Sequence, residues 1–204
     1  MGLYSRLILP WLCDLTLRSP NVAKHRQELL ADASGEILEI GFGTGLNLPH
    51  YPQIVRKITA VDPNPGMHRR AKRKIQQCGI EVDERLVGGE QIPFDEAAFD
   101  CLVSTFTLCS IEDVGQALGE FWRVLKPGGR FLFLEHGLSP DPKVQKWQRR
   151  LNGIQRRLAG NCHLDREIKC LVTSQPFAGV KVSEFYLEQT PKTHGYISQG
   201  VARK

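Results

Sequence analysis

The chemistry open to this chain is concentrated at Glu39, at three glycines in alternate positions, Gly41, Gly43 and Gly45, and at Asp62. The glycines follow the run Glu36-Ile37-Leu38-Glu39-Ile40, which is apolar apart from its two acids. That pattern reads as a buried parallel strand ending in a tight turn, where missing side chains let a ligand touch backbone. Seventeen residues past Gly45, a second apolar run, Ile58-Thr59-Ala60-Val61, ends in Asp62. An acid at the tip of the next strand accepts hydrogen bonds from ribose hydroxyls. The set points to a nucleoside-containing cofactor.

Glycine spacing narrows the cofactor. A dinucleotide fingerprint, G-x-G-x-x-G, uses its third glycine to bring a helix close behind a pyrophosphate. Leu46 occupies that position here, and the third glycine falls one residue early, at Gly45. Glu39 stands just before the turn, where a carboxylate repels a pyrophosphate and suits a cationic amino group. A dehydrogenase is therefore disfavoured.

The elements that must carry these residues alternate. Strands are expected near 57–62, 80–87, 99–105 and 130–135, besides the one before Gly41. Helices are expected from Asn21 to Asp32 with Asn21 as cap, from Pro63-Asn64-Pro65 to Cys78, and over 112–125. Alternation of this kind implies a parallel sheet with right-handed crossovers. Residues 3–17 form an amphipathic segment with Leu7, Trp11 and Leu15 at four-residue spacing. A further helix starts at Asp141-Pro142, with Trp147, Leu151, Ile154 and Leu158 as its apolar stripe. Lys143, Lys146, Arg149, Arg150, Arg156 and Arg157 accompany that stripe. Packed against the core, this is an ordinary amphipathic helix; turned outward, it is a basic lid or a membrane-surface helix. Asp165 caps a helix to about Ser174, and Val180 to Glu188 and Tyr196 to Ala202 read as two final strands.

Five segments, in order from residue 36 to residue 136, resemble the class I S-adenosylmethionine-dependent methyltransferases. They are the glycine turn with Asp62, Gly89-Glu90-Gln91-Ile92-Pro93-Phe94, Ala98-Phe99-Asp100-Cys101-Leu102-Val103, Arg123-Val124-Leu125-Lys126-Pro127-Gly128-Gly129, and the strand that follows. The resemblance implies an α/β fold. Its form is a Rossmann-like, seven-stranded, mostly parallel sheet with helices on both faces and a C-terminal antiparallel hairpin. One domain over 1–204 is expected, divided into N-terminal helices or lid (1–34), cofactor-binding core (35–136), basic helical insertion (137–165) and C-terminal helix with hairpin (166–204).

S-adenosyl-L-methionine is the implied cofactor. Gly41, Gly43 and Gly45 would admit its methionine and ribose parts, Glu39 its amine and Asp62 its ribose hydroxyls. Asn64 and Met67 would flank adenine, with Met67 alternatively core, and Glu90 would read the base, because Gly88 stands where the family carries an acid. Asn47 either bonds the carboxylate or caps the short helix that Pro49 and Pro52 keep brief. Thr105 would sit near the sulfonium. His136, at a strand tip, is the candidate to orient or deprotonate the acceptor, against the plainer reading of a hydrogen-bonded structural histidine.

Gly45-Leu46-Asn47-Leu48-Pro49-His50-Tyr51-Pro52, Thr107-Leu108-Cys109-Ser110, Glu135-His136 and the 160–168 segment resemble the methyltransferase-like thiol methyltransferases and their bacterial relatives. A small lipophilic acceptor methylated on a thiol is then expected; a phospholipid or quinone methyltransferase and an inactive cofactor-binding module are the alternatives. The long apolar N-terminal anchor of the animal enzymes has no counterpart here, so membrane integration is not expected.

Composition agrees with a globular chain: 204 residues, 41% hydrophobic and 24% charged. There is no apolar run of the roughly 20 residues that cross a bilayer, and no cleavage site marks a signal peptide. The six cysteines show no C-x-x-C pair and are read as reduced thiols of a cytoplasmic protein, with no metal site expected. Net charge is +5. Arg69, Arg70, Lys72, Arg73 and Lys74 carry no interleaved aromatics, so no nucleic-acid partner is expected, whereas peripheral contact with an anionic membrane stays open.

Overall fold

A computed structural model describes residues 2–204. The chain opens with two short helices, α1 (Leu3–Leu7) and α2 (Leu9–Leu17). Pro10 lies in the first turn of α2, where its missing N–H removes no helical hydrogen bond. Helix α3 (Pro20–Leu30) is capped by Ser19, whose hydroxyl accepts from Val22 N at 3.4 Å, rather than by Asn21. Pro20 explains the shift: its fixed φ suits the first helical position and leaves its predecessor extended. The Asn21 amide donates instead to the Glu188 carbonyl.

From there strands and helices alternate: β1 (Ile37–Ile40), a 3-10 turn at Leu48–His50, β2 (Lys57–Val61), α4 (Pro65–Cys78) and β3 (Glu81–Arg85). Next come β4 (Phe99–Thr105), α5 (Val114–Val124), β5 (Leu125–His136), α6 (Pro142–Leu158), α7 (Ile168–Thr173), β6 (Gly179–Tyr186), α8 (Lys192–Gly195) and β7 (Tyr196–Arg203). The sheet order is β3-β2-β1-β4-β5-β7-β6. The first five strands are parallel, and β7 runs antiparallel between β5 and β6. This is the expected seven-stranded, mostly parallel sheet with its C-terminal hairpin.

Burial follows from the residue types. Strand β1 is buried along its whole length, as a central parallel strand covered on both faces requires. One face of the sheet packs against Val22, Leu29 and Leu30 of α3 and Ala71 of α4. The other packs against Leu118 and Phe121 of α5 and Ile168 and Val172 of α7. From β1 the chain winds outward through β2 to β3, then crosses back to β4 on the opposite side of β1. The crevice beyond the carboxyl ends of β1 and β4 is the point where strand order reverses, the usual ligand position in such sheets.

Of the two orientations the sequence allows, helix α6 turns most of its apolar stripe outward. Its inward face is Val144 and Gln148, whereas Trp147, Ile154 and Leu158 are exposed. The reason is a polar clamp. The Gln148 amide accepts from Ser139 N (3.0 Å) and donates to the Gly137 carbonyl (3.0 Å), tying α6 to the segment after β5. The cap of α7 differs from expectation: Glu167 precedes it without a side-chain bond, in place of Asp165.

Candidate functional site

The turn after β1 is built on left-handed glycines. Gly41 and Phe42 both donate to the Val61 carbonyl, at 2.8 and 3.2 Å, which folds the chain over the end of β2. Gly41 has φ +69°, and a Cβ there would lie 2.1 Å from the Thr107 hydroxyl. Gly43, with φ +58°, has almost nothing within 4 Å of the same position. The backbone at Gly43 therefore stands open on that side. Gly41 and Gly43 line a cavity of about 270 Å³ at the crevice. Gly45 does not; a Cβ at this residue would press on Leu48, so it closes the turn from behind.

Glu39, at the tip of β1, is fully buried and lines the cavity. It accepts from Asn47 Nδ2 at 2.9 Å and from the Tyr51 hydroxyl at 2.7 Å. Burial pushes its carboxyl up to about 7. Arg26, reaching in from α3, donates to Asn47 Oδ1 (2.5 Å) and to the Thr105 hydroxyl (2.6 Å). Its guanidinium is itself buried, which lowers it to about 10, and its Nε has no hydrogen-bond partner. Asn47 bridges acid and base, and its side chain makes no cap bond to the 3-10 turn. Arg26 and Tyr51 went unrecognised in the sequence. The Pro-rich stretch after Gly45 was the one signal for Tyr51; nothing local marks a cation in the middle of α3.

Asp62 follows β2 and lines the same cavity. Its two oxygens accept from Gly43 N and Asn64 N, each at 2.8 Å, while burial raises its carboxyl. Asn64 caps α4 by accepting from Gly66 N at 2.9 Å, and its amide donates to the Ser5 carbonyl at 2.8 Å. Met67, Glu90 and Thr105 join the lining, with Gly88, Gly89 and Ile111. Of the residues expected at a cofactor site, all but Gly45 face this one cavity.

The N-terminal helices cover it. Ser5, Leu9, Cys13 and Leu17, at four-residue spacing, form the inner wall, while Leu7, Trp11 and Leu15 point outward. The expected stripe is therefore the solvent face, because the inner positions pack on the glycine turn and on α4. Asp14 pins this lid: its carboxylate accepts from the Thr44 hydroxyl, from Arg70 and from Lys74. Burial opposes its ionisation, but these three partners hold its carboxyl below the usual range. Gly66 completes the seat, since a Cβ there would lie 2.1 Å from the Arg6 carbonyl.

His136 ends β5 and does not line the cavity. Its Nε2 lies 2.7 Å from Cys162 Sγ, which is 3.7 Å from Cys109 Sγ. All three residues are buried. Each comes from a different segment, so no spacing rule could have grouped them.

A methyltransferase-domain family model matches residues 38–133. Thiol S-methyltransferase TMT1B of Rattus norvegicus is 32% identical over 80% of this chain and 66% of its own length. Thiol S-methyltransferase TMT1A of Homo sapiens is 32% identical over 82% of this chain and 75% of its own. A phosphatidylethanolamine N-methyltransferase of Cereibacter sphaeroides is 28% identical over 79% and 75%. The chain thus spans 66% to 75% of the length of these relatives. Among solved structures, a possible histamine N-methyltransferase of Thermotoga maritima superposes with a TM-score of 0.71, at 18% identity over 98% of this chain and 97% of that one. Among the described residues, no helix is long and apolar enough to cross a membrane.

Proposed function

The chain belongs to the class I S-adenosylmethionine-dependent methyltransferases, and on that premise we propose that it methylates the thiol of a small lipophilic acceptor. S-adenosylmethionine supplies a methyl group on a sulfonium, so the acceptor must arrive as a nucleophile. The residues present suit this cofactor. Glu39 offers a buried carboxylate to the methionyl ammonium, and Arg26, with its unpartnered Nε, offers a cation to the carboxylate. Asp62 faces the ribose. Glu90, Gly88 and Ile111 border the adenine end.

One observation carries the choice of acceptor: the apolar residues Leu9, Cys13 and Leu17 of the lid line the cavity together with Phe106 and Ile111. An apolar wall excludes water, and water exclusion favours a reaction in which an anion and a sulfonium neutralise one another. Among the described residues no histidine lines the cavity, and its carboxylates Glu39, Asp62 and Glu90 are taken up by the cofactor in this reading, so an acceptor that ionises readily on its own is favoured. A thiol, with a reference pKa near 8.5, does so far more readily at neutral pH than an alcohol or an ammonium. Cys13 does not compete, because burial pushes its thiol up to about 11. The two thiol S-methyltransferases aligned over most of the chain support the same reading.

The outward faces support entry from a membrane surface. Leu7, Trp11 and Leu15 lie exposed on the lid, and Trp147, Ile154 and Leu158 on α6. The Tyr4 hydroxyl donates to the Leu158 carbonyl at 2.7 Å, so the two helical units adjoin. We assign this face to peripheral contact with anionic lipid.

The test is a transfer assay with labelled cofactor over alkyl and aryl thiols, aminophospholipid vesicles and quinols. Label is expected in the thiols, rising with their hydrophobicity. Label confined to phospholipid or quinol would replace the thiol reading by one of those. Tight S-adenosylhomocysteine binding without transfer to any acceptor would leave a cofactor-binding module.

A further inference from the structure

Outside the cofactor cavity, the most unusual group of side chains is Cys109, His136 and Cys162. One donor atom from each lies within 4.8 Å of the others, and all three residues are buried. We propose that these residues form a site for a thiophilic divalent cation, with zinc the metal that best fits the donors.

Geometry comes first. Zinc binds cysteine sulfur at about 2.3 Å and histidine nitrogen at about 2.0–2.1 Å in a tetrahedral array, which sets sulfur–sulfur edges of about 3.8 Å and nitrogen–sulfur edges of about 3.6 Å. The Cys109–Cys162 edge is 3.7 Å. The edge from His136 Nε2 to Cys162 Sγ is 2.7 Å and has to open by about 0.9 Å, a small turn of the ring. Nδ1 of His136 is buried without a hydrogen-bond partner, so the ring has a nitrogen to spare in either orientation.

Charge balance favours the same occupant. Two thiolates, a neutral imidazole and a dication sum to zero, which lets the group sit in a buried place that no lone thiolate would tolerate. A mixed sulfur–nitrogen set selects zinc over oxygen-seeking magnesium or calcium. Among the described residues no fourth His, Cys, Asp or Glu joins the group, so one position is left for water or an incoming sulfur ligand.

The surroundings hold the ligands in place. Gln155, from α6, donates to Cys162 Sγ at 3.5 Å. His163 N donates to the Cys109 carbonyl at 2.8 Å, and Arg166 donates to the carbonyls of Leu108 and Ile111 on either side. Outer hydrogen bonds of this kind orient metal ligands. A disulfide between the two cysteines would need the sulfurs to close from 3.7 Å to about 2.05 Å, and it gives the buried imidazole no role.

The test uses the full chain, reduced, equilibrated with zinc and separated from free metal. Elemental analysis should find an equimolar amount of zinc. Replacement by cobalt(II) should produce sulfur-to-metal charge-transfer absorption and the intense visible bands of tetrahedral coordination. Cys109→Ser, Cys162→Ser and His136→Ala should each lose the metal, whereas C170S, at an exposed cysteine, should keep it. S-adenosylhomocysteine binding by each variant reports that it is folded; should all three fail that check, the wild-type cobalt spectrum decides alone. The proposal is overturned if wild-type protein gives no charge-transfer band. It is equally overturned if the Cys109→Ser/Cys162→Ser double variant retains equimolar zinc, or if reduced protein takes up no zinc while oxidation links Cys109 to Cys162. None of these readings depends on which acceptor is methylated.

Discussion

Glu39 is a buried carboxyl on the wall of the cavity. Its ordinary value is 4.5, and burial lifts it to about 7. Between those values the folded chain holds a proton that the unfolded chain has released. This stabilising contribution is therefore complete below pH 4.5 and is lost as pH rises through 7. A bound ammonium favours the carboxylate form, so binding below pH 7 should expel the proton. Calorimetry of S-adenosylhomocysteine binding in buffers of different ionisation enthalpy should show that release, and Glu39→Gln should abolish it. A wild-type enthalpy independent of buffer would remove Glu39 from the ammonium site. Asp62 makes a second test. Asp62→Ala takes away a charged acceptor and should cost about 1.5–3 kcal/mol of affinity, roughly 10- to 150-fold in Kd, with unchanged far-ultraviolet dichroism. An unaltered Kd would sink the ribose assignment.

At the scale of elements, the lid and α6 are the parts with a function to lose. Asp14 joins α2 to the glycine turn and to α4 through Thr44, Arg70 and Lys74. Asp14→Ala leaves those partners without their shared acceptor and should loosen the lid by about 1–3 kcal/mol. Stopped-flow measurement should then find faster release of S-adenosylhomocysteine with association little changed; an unchanged release rate means that the lid does not gate the cofactor. On α6 the cations Arg149, Arg150, Arg156 and Arg157 are exposed beside Trp147, Ile154 and Leu158. Each charge near an anionic surface contributes roughly 1 kcal/mol, screened by salt. Reversing all four to Glu should abolish sedimentation with anionic vesicles and lower turnover of lipophilic thiols more than of soluble ones. Wild-type protein that ignores such vesicles at low salt would end the membrane reading. If the variant also treats both kinds of thiol as wild type does, α6 is only a wall of the fold.

Across the whole molecule, the crevice where strand order reverses draws its walls from the lid, from α3 and from the loops after β1 through β4. A ligand held there couples to the stability of the entire fold. S-adenosylhomocysteine at about 100 times its Kd should add about 2.7 kcal/mol. For a chain of this size that is a rise in Tm of about 5–11 °C. NAD should give none, since Glu39 faces the place a pyrophosphate would need. A comparable rise with NAD would reopen the dehydrogenase reading.

The amino-acid sequence by itself determined the sheet and the inner half of the site. Strand β1, the left-handed turn at Gly41 and Gly43, and Asp62 after β2 were all legible, because each depends on a pattern within a few neighbouring residues. The same locality explains the near misses. Ser19 displaced Asn21 as a cap through the geometry of one proline, and Gly45 kept its turn while leaving the cavity wall. Only the tertiary structure decided which side of an amphipathic helix faces in. Periodicity in α2 and α6 gives a stripe but not its partner, and here the apolar residues Trp11, Trp147 and Ile154 point outward, while Cys13 and Gln148 point inward. It also decided which distant side chains meet. Arg26 comes to Asn47 from another element. Cys109, His136 and Cys162 converge from positions 27 and 26 residues apart. Such meetings arise from tertiary packing, which brings a helix, several loops and the end of β5 together, and no spacing along the chain records them.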